Sequence, residues 1–300
     1  MVAAMDTPHF PVQVDGKNYD IKKFLRDHPG GVNTLKHYEG KSILQAMEKF
    51  GHSISAYHML NDFKVDSSDL KDCNLTGSVS ENGRIITNEE GSRDKAEVAY
   101  LEELEGRLDW SKPILCQLDT IAPDYEKWVN SAVFRHCRIF SSPLLEAMTF
   151  TPWYLVPAFW IPIILYLGYT QFSEHVLSTE NSMSLLEYGC HMVFGTFMWT
   201  ILEYSLHRWV FHLDPGRSIT MIKTHFLIHG LHHKVPFDGL RQVFPPSRVC
   251  AGVHYLRASA PAPILSLIKL TGGLIGYLVY DMIHYYVHHG SHKTARISTQ

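Results

Sequence analysis

Nine of the chain's 19 histidines fall in three short stretches. HRWVFH holds His207 and His212; HFLIHGLHH holds His225, His229, His232 and His233; DMIHYYVHH holds His284, His288 and His289, after Asp281. Histidine is the commonest protein metal ligand. Residues three and four apart share a helix face, so His229, His232 and His233 converge. His284 and His288 converge in the same way, with Asp281 one turn earlier on that side. His207 and His212 are five apart, a spacing that fits a helix end running into a loop. Many neutral imidazoles without thiolates suit iron, zinc, copper or nickel. A single structural zinc needs only four ligands, so seven or more converging histidines imply two metals. Asp281, Glu203 and Tyr204 are placed to orient ring nitrogens from behind. A lone histidine would be read as a packing residue; three matched clusters are not.

A second constellation lies upstream. His28-Pro29-Gly30-Gly31 is followed, 24 positions after His28, by Gly51-His52-Ser53. Haem takes axial ligands on opposite faces of the porphyrin. Two helix-loop-helix hairpins can each present one histidine into an apolar crevice, lined here by Phe24, Leu25, Leu35, Ile43, Phe50 and Phe63. The glycine pair lets backbone pass close to the ring edge. His37 and His58 read as surface or packing histidines.

The elements that must position these groups follow from pattern. From about Pro8 to Asp72 the chain reads as a small mixed domain. FPVQVDGKNYDI gives strands around a turn at Asp15-Gly16. KKFLRDHPGGVNTLKHY reads as helix, turn, helix. The stretch from Cys73 to about Ser92 is polar and linker-like, and AEVAYLEELEGRL (Ala96–Leu108) predicts a short helix. Phe150 to Thr170 carries no charge and has the length a bilayer core requires. Further candidate spans run over about Leu185–Tyr204, Val249–Ile268 and Leu270–Val287. Arg135 and Arg138 precede the first span, and Arg208, Lys223, Lys234, Arg241 and Arg248 lie between the second and third. The connector from Gln171 to Ser184 has no Lys or Arg, so the positive-inside rule places the N-terminus and the histidine-rich loop on the cytosolic side.

Composition narrows the classes further. The 300 residues suffice for two domains, and 45% are hydrophobic and 19% charged. A net charge of −3 excludes a nucleic-acid binder. Cys73, Cys116, Cys137, Cys190 and Cys250 are scattered and show no C-x-x-C spacing, as expected for thiols in a reducing compartment. Met1 to Val14 has no signal-peptide pattern, and the sequon at Asn74 is expected to stay in the cytosol, unglycosylated.

The pair His28 and His52, with its surrounding motif, resembles cytochrome b5 over about residues 8 to 72. That resemblance implies bis-histidine ligation of a b-type haem, which carries electrons and does not bind oxygen. The C-terminal clusters resemble the fatty acid hydroxylase superfamily, which includes sterol desaturases and methyl oxidases. The fused haem domain narrows the match to the fatty acid 2-hydroxylases. So do DWSKPILCQ (Asp109–Gln117), EYSLHRWVFH (Glu203–His212), THFLIHGLHHKVPFD (Thr224–Asp238), VFPP (Val243–Pro246) and GYLVYDMIHYY (Gly276–Tyr286). The resemblance covers about Phe10 to Lys293. It implies His207, His212, His229, His232, His233, His284 and His288 as ligands of two metal ions, iron expected and zinc acceptable. His225 takes a neighbouring, non-ligand role, and His289 falls where no ligand is called for.

The expected architecture is therefore an α+β haem domain (8–72), a linker with a short helix (73–108), an all-α multi-span membrane domain with a cytosolic histidine-rich metal cap (109–293) and a divergent tail (294–300). The resemblance implies O₂-dependent 2-hydroxylation of long-chain fatty acids for sphingolipids at the endoplasmic reticulum membrane. Electrons would come from an NAD(P)H-dependent cytochrome b5- or P450-type reductase through the haem. The family pattern also has a further H-x-x-H-H cluster with one ligand histidine before it, where this sequence has only His292. The expectation on that count is a shortened form with little hydroxylase activity. Two other readings stay open: a sterol or acyl desaturase with the same metal chemistry, and a membrane-tethered haem electron donor with an incomplete metal site.

Overall fold

In the computed structural model, the described residues are 8–66, 89–179, 183–246, 250 and 267–289. The chain divides into two compact units, neither contiguous in sequence. The first comprises the described residues of Met1–Ile139, Gly216–Phe237 and His288–Gln300; the second comprises those of Phe140–Pro215 and Asp238–Val287.

The first unit opens with a hairpin of β1 (Pro11–Val14) and β2 (Lys17–Asp20), antiparallel with Val14 opposite Lys17. Asp15 and Gly16 both have positive φ, 47° and 73°. A two-residue turn of that hand matches the twist of the flanking strands. Alternation puts Val12, Val14 and Tyr19 into a core with Phe10, Ile21, Leu25, Ile43, Met47 and Phe63. The first arm of the expected helix-turn-helix is shorter than its pattern implies, a single 3₁₀ turn at Lys22–Phe24. The second arm is α1 (Val32–Leu35), which runs on as a 3₁₀ turn to Tyr38. Gly31, at φ 78°, turns the chain immediately ahead of α1. α2 (Leu44–Lys49) and α3 (Ile54–Leu60) follow. Phe50, expected in the haem crevice, is 70% exposed and stands outside this core.

α4 (Glu89–Gly106) begins well before the apolar pattern does. The motif Asp109–Gln117 then closes on itself. The Gln117 side chain accepts from the Asp109 amide (2.8 Å) and donates to the Asp109 carbonyl (2.9 Å). α5 (Tyr125–Val129) buries Tyr125 and Trp128.

The second unit contains α6 (Pro143–Ala147), α7 (Leu155–His175) and α8 (Leu185–Leu206). Glu187 is not a charge stranded in a span. It completes a capping box, donating a backbone N–H to Ser184 Oγ (3.2 Å) and accepting the Ser184 N–H (2.9 Å). Also in this unit is the helix that begins at Leu267, which α8 meets almost backbone to backbone. A Cβ on Gly195 would lie 2.0 Å from the Lys269 carbonyl oxygen, and one on Gly272 2.1 Å from that of Met192. Thr196 Oγ1 donates to the Gly272 carbonyl across the same seam (2.9 Å). Small residues and a hydroxyl at a helix contact are a device of helices packed in lipid. Among the described residues, α7 alone is both long and apolar enough to cross a membrane, with a mean hydropathy of 1.4. The candidate spans at 185–204 and 270–287 are helices, and the one at 249–268 lies almost wholly outside the described residues, as do Asn74, His292 and the tail.

Candidate haem and metal centres

In the first unit, the His28 and His52 rings lie 6.2 Å apart between centroids, with planes within 19° of parallel. Two metal–imidazole bonds of about 2 Å each occupy roughly 4 Å of such a gap, and the two half-rings fill the remainder. The pair therefore fits one iron between them. His52 Nδ1 donates to the Met47 carbonyl (3.0 Å), which leaves Nε2 as the ligand atom. On the other side, a Cβ on Gly30 would come within 2.8 Å of the His28 ring, so only glycine lets the loop fold over that imidazole. His37 is exposed; His58 is buried.

The histidine-rich run after Ser218 begins as α9 (Ile219–His225), widens into a π-helical turn (Phe226–Gly230) and ends as α10 (Leu231–Lys234). π turns change which residues share a face and concentrate at functional sites. Ring centroids of His229 and His233 lie 4.6 Å apart, and those of His232 lie 5.7 and 5.8 Å from them. The Nε2 atoms of His229 and His233 are 2.9 Å apart. With metal–nitrogen bonds of 2.0–2.1 Å, that separation subtends about 90° at one ion, so the two imidazoles fit adjacent positions on it. His288, near the end of α11 (Leu267–His289), brings its ring to 4.8 Å from His232. The first unit thus gathers four imidazoles from two helical elements.

Just below this cluster, Lys234 is fully buried. Its ammonium pairs with Glu105 and donates to the Trp128 carbonyl (3.0 Å), the Ser131 carbonyl (2.7 Å) and Ser131 Oγ (3.0 Å). Trp110 Nε1 donates to the other Glu105 oxygen (3.1 Å), which gives the Asp109–Gln117 motif its purpose. Burial pulls the Lys234 ammonium down to about 8, with Glu105 opposing the shift. The Lys234 backbone is also held, its carbonyl accepting from the Val133 amide (2.9 Å). His225 is engaged elsewhere: Tyr125 Oη lies 2.8 Å from its Nδ1. Burial raises the Tyr125 hydroxyl, which stays protonated and donates. Gly230 is what lets the two meet, because a Cβ there would lie 2.6 Å from Tyr125 Oη.

In the second unit, α8 runs into a π turn, His207–Phe211, where a loop had been expected. Its i→i+5 bond, His212 N–H to His207 carbonyl (3.2 Å), puts residues five apart in register, and the two rings sit 4.6 Å apart. Asp281 accepts the Phe244 amide (3.3 Å) and is buried. Glu203 is bonded to Tyr280, whose ring lies 5.8 Å from His284. Tyr204 is 56% exposed and packs on Trp209. Of the three groups expected to stand behind the histidines, two thus hold other partners. Sequence reasoning missed Tyr125, Glu105 and Lys234, which carry no signal of their own.

Residues 10–67 match the cytochrome b5-like haem/steroid binding domain. Over its length the chain is similar to the fatty acid 2-hydroxylase of Mus musculus, with 36% identity, 92% of this chain and 78% of the relative covered. It is similar also to the ceramide very long chain fatty acid hydroxylase SCS7 of Saccharomyces cerevisiae, with 31% identity, 91% of this chain and 78% of the relative covered. Among solved structures it is similar to full-length scs7p with only the hydroxylase domain visible: TM-score 0.51, 29% identity, 68% of this chain and 75% of that chain covered.

Proposed function

The chain belongs to the fatty acid 2-hydroxylase family, and on that footing we propose that it hydroxylates C2 of long-chain fatty acyl groups destined for sphingolipids. The observation that carries the reading is a juxtaposition within one compact unit. A near-parallel imidazole pair suited to haem shares that unit with a cluster of four imidazoles suited to metal. An enzyme that draws single electrons to reduce dioxygen needs both; a plain haem carrier needs only the first.

Bound haem would supply one-electron transfer, and two bound metals the reduction of dioxygen. His28 and His52 hold the haem, with Met47 fixing the His52 tautomer. His207, His212, His229, His232, His233, His284 and His288 serve as metal ligands; iron is the expected metal, and imidazole alone does not discriminate against zinc. The haem-binding domain occupies 8–72, a linker 73–108, and the hydroxylase domain 109–293, ahead of the tail at 294–300. Leu165, Tyr166 and Tyr169 on α7, Leu186, Val193 and Phe197 on α8, and Val279, Ile283 and Val287 on α11 are all exposed. Exposed apolar surface on three long helices supports a multi-pass membrane domain, which the reading assigns to the endoplasmic reticulum. The positive-inside distribution keeps the haem domain and the histidines cytosolic. An acyl chain can then enter from the bilayer while its carboxyl end stays at the surface. The electron source is an NAD(P)H-dependent cytochrome b5- or P450-type reductase.

Against the expectation of a shortened form with little activity, the protein expressed in cells lacking 2-hydroxylated sphingolipids should restore 2-hydroxy acyl groups, and the purified protein should contain one haem and two metal ions per chain. Unsaturated acyl products would assign a desaturase instead. Haem without metal would assign an electron donor.

A further inference from the structure

The haem-binding fold is not merely tethered beside the metal-binding helices; the two share a packed seam in the first unit. Phe24 sits at its centre. Its ring meets the His28 ring edge-on at 5.8 Å and the Phe237 ring at 5.3 Å, in planes 89° apart. Phe134 closes the cluster, at 5.7 Å from both Phe24 and Phe237 and 5.1 Å from Phe63. Polar contacts fix the same seam. Asp62, on the haem-binding fold, accepts the Phe134 amide (2.8 Å) and pairs with Arg135 (2.5 Å). Its side chain is only 4% exposed, against 34% for Arg135, so the carboxylate is the shielded partner of the pair.

Phe237 is also the end of a lead. Four residues before it in the chain stands His233, and between them lie Lys234, fully buried, and Val235, 3% exposed. Lys234 is clamped at its side chain by Glu105, Trp128 and Ser131, and at its carbonyl by Val133. Phe237 is therefore held at a fixed covalent distance from a metal-ligand candidate. Resting on the hydroxylase reading above, we propose that the Phe24–Phe237 contact is the bridge by which electrons pass from the haem at His28 to the metal centre at His233.

Electron transfer falls off steeply with distance and more steeply across a gap than through packed atoms or bonds. The route His28, Phe24, Phe237 and the backbone to His233 crosses two ring contacts, His28–Phe24 and Phe24–Phe237, and is covalent from Phe237 onward. Each passage oxidises one ferrous haem to ferric and reduces one ferric metal ion to ferrous. Two passages supply the two electrons that, with two protons, one O₂ and one C–H bond, give one hydroxyl and one water. The reductase restores the ferrous haem each time. Phe24 and Phe237 are positioning residues: they touch neither dioxygen nor substrate.

The test uses the full chain in detergent, loaded with haem and iron, with the haem reduced in the absence of air and its reoxidation by the metal centre followed from its visible absorption. Phe237→Ala opens the bridge and should slow reoxidation by about tenfold or more, equivalent to about 1.4 kcal/mol, with the haem spectrum and metal content unchanged. Arg135→Glu, which alters neither histidine set, should free the Phe134 amide for hydrogen exchange in zinc-loaded protein and slow reoxidation in iron-loaded protein in parallel. It serves as the second probe if Phe237→Ala fails to fold. Wild-type reoxidation rates in a folded Phe237→Ala, or in Arg135→Glu with the Phe134 amide exposed, would overturn the bridge. A wild-type haem that stays reduced beside ferric iron removes the metal centre as its acceptor, which overturns the hydroxylase reading together with the bridge.

Discussion

His52→Ala in the full-length chain should abolish the six-coordinate, low-spin haem spectrum and, with it, product formation. The two imidazoles lie as a pair on either side of one gap, and among the described residues of this fold neither His37, which is exposed, nor His58, which is buried, joins them. Removing His52 leaves His28 to hold the iron from one face, with water or nothing on the other. The absorption should shift to the high-spin form and haem should be lost more readily during purification. His28→Ala should behave in the same way. His37→Ala should be silent in both spectrum and product. A low-spin spectrum surviving in His52→Ala would mean that another residue is the ligand. The metal content of these variants should stay at the wild-type level, since α10 and α11 are separate elements.

Lys234→Met should destabilise the first unit by about 3–5 kcal/mol, the usual cost of removing one partner of a buried ion pair. The intact pair is not a large net gain, because burial opposes the lysine's charge. The loss comes from what is left behind. Glu105 keeps a buried charge held only by Trp110, and the Trp128 and Ser131 carbonyls lose their donor. In thermal unfolding followed by tryptophan fluorescence, the midpoint should fall by roughly 10 °C. Pairing the change with Glu105→Leu should recover much of the loss, because no charge then stays buried. Since His232 and His233 precede Lys234 directly, metal occupancy should fall in the single variant and return in the double. A single variant with a wild-type midpoint would show that the pair is open to solvent.

These two predictions draw on different amounts of sequence information. The His28 and His52 motif was legible because both histidines sit in distinctive local contexts, and the Asp15-Gly16 turn because its chemistry is local. The helical spacing of His229, His232 and His233 was legible for the same reason. The Glu105–Lys234 pair was not, since its partners are 129 residues apart and the motif around Lys234 does not say what its ammonium meets. The π turns at His207–Phe211 and Phe226–Gly230 were not legible either, because an i→i+5 bond leaves no compositional mark. Glu187 falls inside the candidate span Leu185–Tyr204, yet Ser184-x-x-Glu187 spells a helix start, which is the role it has. Glu203 and Asp281 misled: proximity along a helix suggested imidazole partners, but Tyr280 and the Phe244 amide meet them instead.

Purified full-length protein, loaded with haem and iron and supplied with NAD(P)H, a cytochrome b5- or P450-type reductase and a long-chain acyl substrate, should be run under ¹⁸O₂ and its products analysed by mass spectrometry. One ¹⁸O is expected in a hydroxyl at C2, dependent on the reductase and lost in His52→Ala. Label at another carbon, an unlabelled hydroxyl drawn from water, a double bond in place of a hydroxyl, or no product from a fully loaded protein would contradict the proposed 2-hydroxylation.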